Sequence, residues 1–127
     1  MLYGEDHKKH ITNEILSYLT PEAIALWWMD DGNIAPKYTY PAGKDKVRCG
    51  YQLRLYTYLN REENILIRQY FINNYDMYWN VVQADGDKTG EKFMLRCGTT
   101  EGRKFLNIIR DYIESRVPSM AYKVINI

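Results

Sequence analysis

The sequence is poor in cysteine, in long apolar runs and in net charge, and each shortage excludes a class of protein. Its two cysteines, Cys49 and Cys97, are far apart in the chain. A disulfide-stapled secreted module needs more cysteines at closer spacing, so free thiols in a reducing interior are expected. No segment approaches the roughly 18 uninterrupted apolar residues of a membrane span. The opening stretch MLYGEDHKKH lacks the apolar centre of a signal peptide. An intracellular protein with no membrane partner is the expectation, in cytoplasm or organelle matrix. His7 and His10 are spaced H-x-x-H, but no C-x-x-C pair accompanies them, so a zinc finger is not expected. The formal net charge is +1, which as a total gives little support to a nucleic-acid partner.

What is present is enough apolar material for a core. Of 127 residues, 46% are hydrophobic and 14% aromatic, with 12 tyrosines. No low-complexity linker or short repeat interrupts the chain, and residues 1–127 are expected to form one domain of ordinary size. The charge is unevenly placed. Residues 1–32 hold six acids and two bases, whereas residues 33–58 hold Lys37, Lys44, Lys46, Arg48 and Arg54 against one acid, Asp45. A local basic stretch matters more for phosphate binding than the total does.

Periodicity and caps predict the elements. Residues 8–20 form a lead-in segment with a short helix around NEILSYL. Thr20 offers an N-cap, Pro21 suits the first helical position and Glu22 sits at the positive end of the dipole, which predicts a helix over 21–32 that Gly32 stops. Alternating stretches at 33–40 and 51–58 predict two strands around the loop PAGKDK. A capping-box-like NREE opens a helix from Asn60 to about Asn74. Strands near 77–84 and 92–98 flank the turn DGDKTGE, and a helix over about 100–114 follows. The order αββαββα implies an α+β fold, with an antiparallel four-stranded sheet and helices on one face. The uncovered face is expected to carry Lys37, Thr39, Gln52, Arg54, Tyr56, Tyr58, Gln83, Lys92 and Arg96. Lys44, Lys46 and Arg48 lie in or near the first loop, where they suit phosphates. Gln52 and Arg54 suit base edges, since glutamine pairs with adenine and arginine with guanine.

The helix over 21–32 raises a physical problem. Seven apolar residues run from Ala23 to Met29 and two aspartates follow. A helix that is apolar all round must be covered on both sides. At 100° per residue Pro21, Ala25, Met29 and Gly32 fall near one stripe, with Trp28 beside it, and small residues there let a second helix approach. Ala23, Leu26 and Trp27 are then expected to face the helix's own core. Asp30 and Asp31 sit at the negative end of the dipole, at a cost of about 0.3–1 kcal/mol each. A divalent cation reverses that sign, and carboxylate, carbonyl and water together suit Mg²⁺.

The stretch LTPEAIALWWMDDG resembles the signature helix of the LAGLIDADG homing endonucleases, and is closest to the branch whose motif ends in MDDG. The upstream HKKHITNEILSYL and the closing VPSMAYK are similar to the same branch, and αββαββα is its domain order. The resemblance implies a site-specific, metal-dependent double-strand cut in a long DNA target. Two such helices pack about a twofold axis, and each delivers an acid to one DNA strand. Asp31, immediately before the terminal glycine, is then the metal ligand, with Asp30 the weaker candidate. Lys123 is similar to the basic residue near the scissile phosphate. The sheets would lie along the major groove. With one motif in the chain, the resemblance implies a homodimer or a complementary half-domain, with Pro21, Ala25, Trp28, Met29 and Gly32 at the interface. An RNA maturase that binds without cutting, or a DNA-binding remnant, uses the same fold and is the alternative.

Overall fold

The structure is a computed structural model that describes residues 2–3, 9–43 and 45–127. His7 and Lys44 lie outside the described residues. Two short strands, β1 (Leu2–Tyr3) and β2 (Lys9–His10), pair antiparallel ahead of helix α1 (Asn13–Leu16). The main body runs α2 (Pro21–Asp31), β3 (Gly32–Thr39), β4 (Val47–Leu59), α3 (Arg61–Tyr75), β5 (Asn80–Gln83), β6 (Phe93–Cys97) and α4 (Thr99–Arg116), and a 3₁₀ turn (Pro118–Val124) closes it. The expected αββαββα order is present, and the four strands form one antiparallel sheet in the order β3-β4-β6-β5. The lead-in helix is a single turn, capped by the Thr12 side chain, because Leu16 alone of its residues is buried. A helix that short takes its stability from tertiary contact rather than from propensity. Here the Ile11 N–H donates to the Glu63 carboxylate at 2.6 Å and anchors the segment to α3.

Alternation in β4 sets the two faces of the sheet. Leu53, Leu55, Thr57 and Leu59 are buried, while Gln52, Arg54 and Tyr56 are half-buried and Tyr58 is exposed. The buried face packs beneath the helices on Trp28, Ile67, Phe71, Phe105 and Ile109, all with no solvent exposure. Phe105 lies at the centre of an aromatic cluster, edge-on to Trp28, Phe71 and Trp79, with ring centroids 5.0, 5.7 and 4.9 Å away. Edge-to-face geometry is the favoured arrangement for such rings. Met77 and Trp79 are fully buried although they precede β5, so the third strand is shorter than the expected 77–84. Their burial belongs to the core under the sheet rather than to ladder pairing.

The two thiols differ in environment. Cys49 is exposed in β4 and Cys97 is buried at the end of β6. Burial pushes the Cys97 thiol up to about 12, and the nearby Glu101 charge pushes the same way. Only the thiolate reacts with a disulfide reagent. At pH 8, therefore, one thiol per chain is expected to react promptly with such a reagent. The second is expected to react only after denaturant is added, and equal rates for both would contradict this placement.

Candidate nucleic-acid interface and acidic foot

Helix α2 forms as its caps dictate. The Thr20 hydroxyl accepts from the Ala23 N–H at 3.1 Å, Pro21 occupies the first turn and Glu22 follows it. It ends at Gly32, but not through a left-handed cap. Gly32 is extended, with φ −95° and ψ 154°, and leads straight into β3. Glycine is required there for space. A Cβ at Gly32 would lie 2.2 Å from the Trp28 ring.

The helix faces the opposite way from the sequence expectation. Ile24, Ala25 and Trp28 are buried within their own chain, at 1%, 0% and 0% exposure. Ala25, Trp28 and Gly32 are thus covered by the chain itself and are not free to meet a partner. Pro21 is exposed and Met29 packs partly against the core. The less covered side instead carries Ala23, Leu26 and Trp27: Leu26 is 51% exposed, Ala23 and Trp27 are half-buried, and Trp27, like Met29, packs partly against the core. These three residues, together with Ile15, Leu19 and the two aspartates, line a groove of about 370 Å³ beside α1. Among the described residues the Trp27 indole N–H has no hydrogen-bond partner. The reason for the reversal is size. The sheet side has room for the Trp28 indole and for the close approach of Gly32, while Asp30, one turn after Leu26, must stay wet.

Asp31 is the last residue of α2, half-buried, and Asp30 beside it is exposed. Lys123 reaches the same foot from the far end of the chain. Its Nζ donates to the Gly32 carbonyl at 2.6 Å, and its own carbonyl accepts from the Trp28 Nε1–H at 2.6 Å. These reciprocal bonds clamp the closing turn onto the end of the motif helix. Asp31, Asp30 and Lys123, chosen from sequence, are thus brought to one place. Among the described residues no group of three or more His, Cys, Asp or Glu side chains is assembled to hold a metal ion. One carboxylate flanked by water-accessible space matches the way Mg²⁺ is commonly held, through one or two carboxylates.

The open face of the sheet carries a row that crosses all four strands. Asn33 pairs with Arg54, Arg54 with Arg96, and Arg96 with Asn80. Two arginines directly opposite each other are destabilising in an isolated sheet. The Asp85 carboxylate lies 4.0 Å from the Arg54 guanidinium. Arg54 is oriented by its Nε–H, which donates to Gln52 Oε1 at 3.0 Å. By register Lys37 shares this face, since Ala35 pairs with Gln52 and Lys37 with Gly50. Asn33 and Asn80 were not singled out from sequence, because only the strand pairing reveals the row.

Other candidates are placed differently. A register shift between Lys37 and Tyr38 pairs Tyr38 with Arg48 and Thr39 with Val47 at the exposed end of the hairpin. There Lys46 lies over the Tyr38 ring at 4.4 Å and Arg48 over Tyr51 at 5.2 Å. Their charged heads lie against aromatic faces in cation–π contacts. Gln83 does not lie on the open face. It pairs with Phe93, on the side of Leu95 and Cys97, and its amide donates to the Asp87 carbonyl at 3.0 Å. The expected strand at 77–84 began too early, and only the pairing fixes which residues alternate outward. Lys92 is exposed at the edge of the 85–91 turn, where its N–H donates to Asp87 Oδ2 at 3.1 Å. Hydrogen bonds from the Thr89 hydroxyl and the Lys92 N–H hold the Asp87 carboxyl down to about 2. This is a self-closed turn.

An acidic helix foot thus stands beside an antiparallel sheet whose open face carries arginine and lysine. The model of the LAGLIDADG DNA endonuclease family matches residues 1–105, and the chain belongs to that family. Protein RecA of Mycolicibacterium flavescens is 28% identical over 127 residues, covering 98% of this chain. The chain spans 28% of that relative's length. The fold is also that of the homing endonuclease I-WcaI bound to its DNA recognition sequence, with a TM-score of 0.71 and 23% identity. That match covers 97% of this chain and 49% of the other. No helix among the described residues is long and apolar enough to cross a membrane.

Proposed function

We propose that the chain is one half of a metal-dependent DNA endonuclease that cuts both strands of a long site. The observation that carries this reading is the foot of α2. Asp31 and Asp30 end a helix whose outer side is apolar and uncovered, next to a sheet face bearing Arg54, Arg96, Gln52 and Lys37. The uncovered side suits a second motif helix, from another copy of the chain or from a complementary unit. That pairing would set two acidic feet side by side, with Ala23, Leu26 and Trp27 between them. The structural match to about half of a longer chain fits the same arrangement.

In this reading Asp31 holds the cation, and Asp30 helps to set the local charge. A bound divalent ion would supply a Lewis acid and an activated water for phosphodiester hydrolysis. Lys123, whose Nζ is held at the Gly32 carbonyl, would offer a positive charge to the phosphate of the cut strand. The open face reads the groove. Arg54 and Arg96 suit guanine edges and Gln52 suits adenine, while Lys37, Lys46, Arg48 and Lys92 suit the backbone.

The test is incubation of the purified chain with a randomised library of duplex sites, with Mg²⁺ or with chelator. Sedimentation is run alongside it. Metal-dependent double-strand breaks at one sequence, from a species of twice the chain's mass, are the expected result. Binding without cutting at any metal, or a preference for structured RNA, would overturn it in favour of the maturase or remnant.

A further inference from the structure

Between Leu55 and Leu59 strand β4 carries more chain than its neighbour. Leu55 pairs with Leu95 and Leu59 with Phe93, so Tyr56, Thr57 and Tyr58 stand against Met94 alone. The surplus is a built bulge rather than a ragged end. Thr57 is buried, and its hydroxyl donates to Asn64 Oδ1 at 2.6 Å with the Phe93 carbonyl at 3.2 Å. Asn64, fully buried, donates in turn to the carbonyls of Leu59 and Asn60 at 3.2 and 2.9 Å. These bonds lock the loop to α3.

What the bulge holds up is aromatic and strained. Tyr58 has φ 52°, in the left-handed region that residues with a Cβ avoid. Its side chain is nonetheless 49% exposed. The rings of Tyr56 and Tyr58 stack, with centroids 6.0 Å apart and planes 21° off parallel. A solvated turn would take glycine or asparagine at this backbone angle. Strain kept at an exposed side chain, with the surroundings over-determined to hold it, marks a site of use.

The stack forms one wall of an open groove of about 1090 Å³ that reaches from Lys92 to Asp31. The groove contains Glu62, Glu63 and Glu91 beside Arg61 and Lys92, so carboxylates outnumber cations. That balance repels phosphate. It suits the flat, amino-bearing face and edge of a nucleobase. We infer that the Tyr56–Tyr58 stack receives a nucleobase tipped out of the duplex beside Asp31. The inference rests on the proposed DNA reaction and deepens it. A platform of this kind is sequence-tolerant in itself, because every base has a π-face. It favours targets whose step at the point of cutting unstacks readily, such as TA or CA, and so reads deformability rather than hydrogen bonds.

The experiment compares binding of the full chain, in chelator, to a short duplex of arbitrary sequence and to the same duplex with one central A·C mismatch, both of whose bases carry an amino group. Wild type is expected to prefer the mismatched duplex about tenfold, within the range that base–aromatic stacking supports. Tyr58→Gly keeps the left-handed backbone without the ring, and Tyr56→Leu keeps apolar bulk without the π-face. Both are expected to lose the preference, with the Tm of Tyr58→Gly equal to or above wild type. Retained preference in the variants, or equal binding of both duplexes by wild type, would overturn the inference and leave the DNA reading intact. A lowered Tm in Tyr58→Gly would assign the stack to the fold and overturn it too. Failure of wild type to bind either duplex would sink this inference together with the reading beneath it.

Discussion

Asp31→Asn is expected to lower DNA cleavage by about 10²–10³-fold or more, the scale for removing one preorganised electrostatic contact. The fold should not suffer. Asp31 sits at the negative end of the α2 dipole with Asp30 immediately before it. Each carboxylate in such a place costs about 0.3–1 kcal/mol when no cation is bound. Neutralising one removes that repulsion, so the metal-free variant should melt at the wild-type temperature or slightly above it. Loss of activity with a gain in stability is the signature of a residue kept for its reaction. The checks are a cleavage time course on the selected site and a thermal melt in chelator. Undiminished cutting by Asp31→Asn would move the metal elsewhere.

Gly32→Ala should have the largest effect on folding of any single methyl added to the chain. The new Cβ would fall 2.2 Å from two carbons of the Trp28 ring and 2.6 Å from the Trp28 carbonyl oxygen. Neither can yield cheaply. The ring is fully buried, edge-on to Phe105, and its Nε1–H is tied to the Lys123 carbonyl. Overpacking of a tight core typically costs about 1–3 kcal/mol and occasionally more. A broken buried hydrogen bond adds about 1 kcal/mol. A loss of about 2–4 kcal/mol is expected, a large part of the roughly 5–15 kcal/mol that holds a domain folded. Urea unfolding measures it directly, and a change under about 1 kcal/mol would show that helix and strand separate more easily than the contact implies.

Much of the architecture was legible because local signals agreed. Thr20 and Pro21 opened α2 as expected, Asn60 capped α3 through its bond from the Glu63 N–H, and alternation in β4 separated Leu53 and Leu55 from Gln52 and Arg54. The acidic foot was equally plain, since two adjacent carboxylates after an apolar helix violate the dipole preference. The facing of α2 was not legible from its apolar residues. A helical wheel fixes angles between side chains, and a helix greasy on every side gives no outward direction. A usable signal lay one turn further on. Asp30 must be solvated, and residues three, four and seven before it are Trp27, Leu26 and Ala23. Following the acid back up the helix would have identified the open stripe. The placement of Gln83 and the Asn33–Arg54–Arg96–Asn80 row depended on strand register, which is set by long-range pairing that a single sequence does not display.

The bond from the Trp28 indole to the Lys123 carbonyl joins groups 95 positions apart, and the return bond from Lys123 to Gly32 spans 91. During translation, then, the signature helix leaves the ribosome long before the lysine that completes its tip. A nascent or prematurely stopped product carries the acids without their clamped cation. A product stopped before Lys123 would hold the motif helix without its clamp and, in the proposed reaction, without that positive charge at the acidic foot.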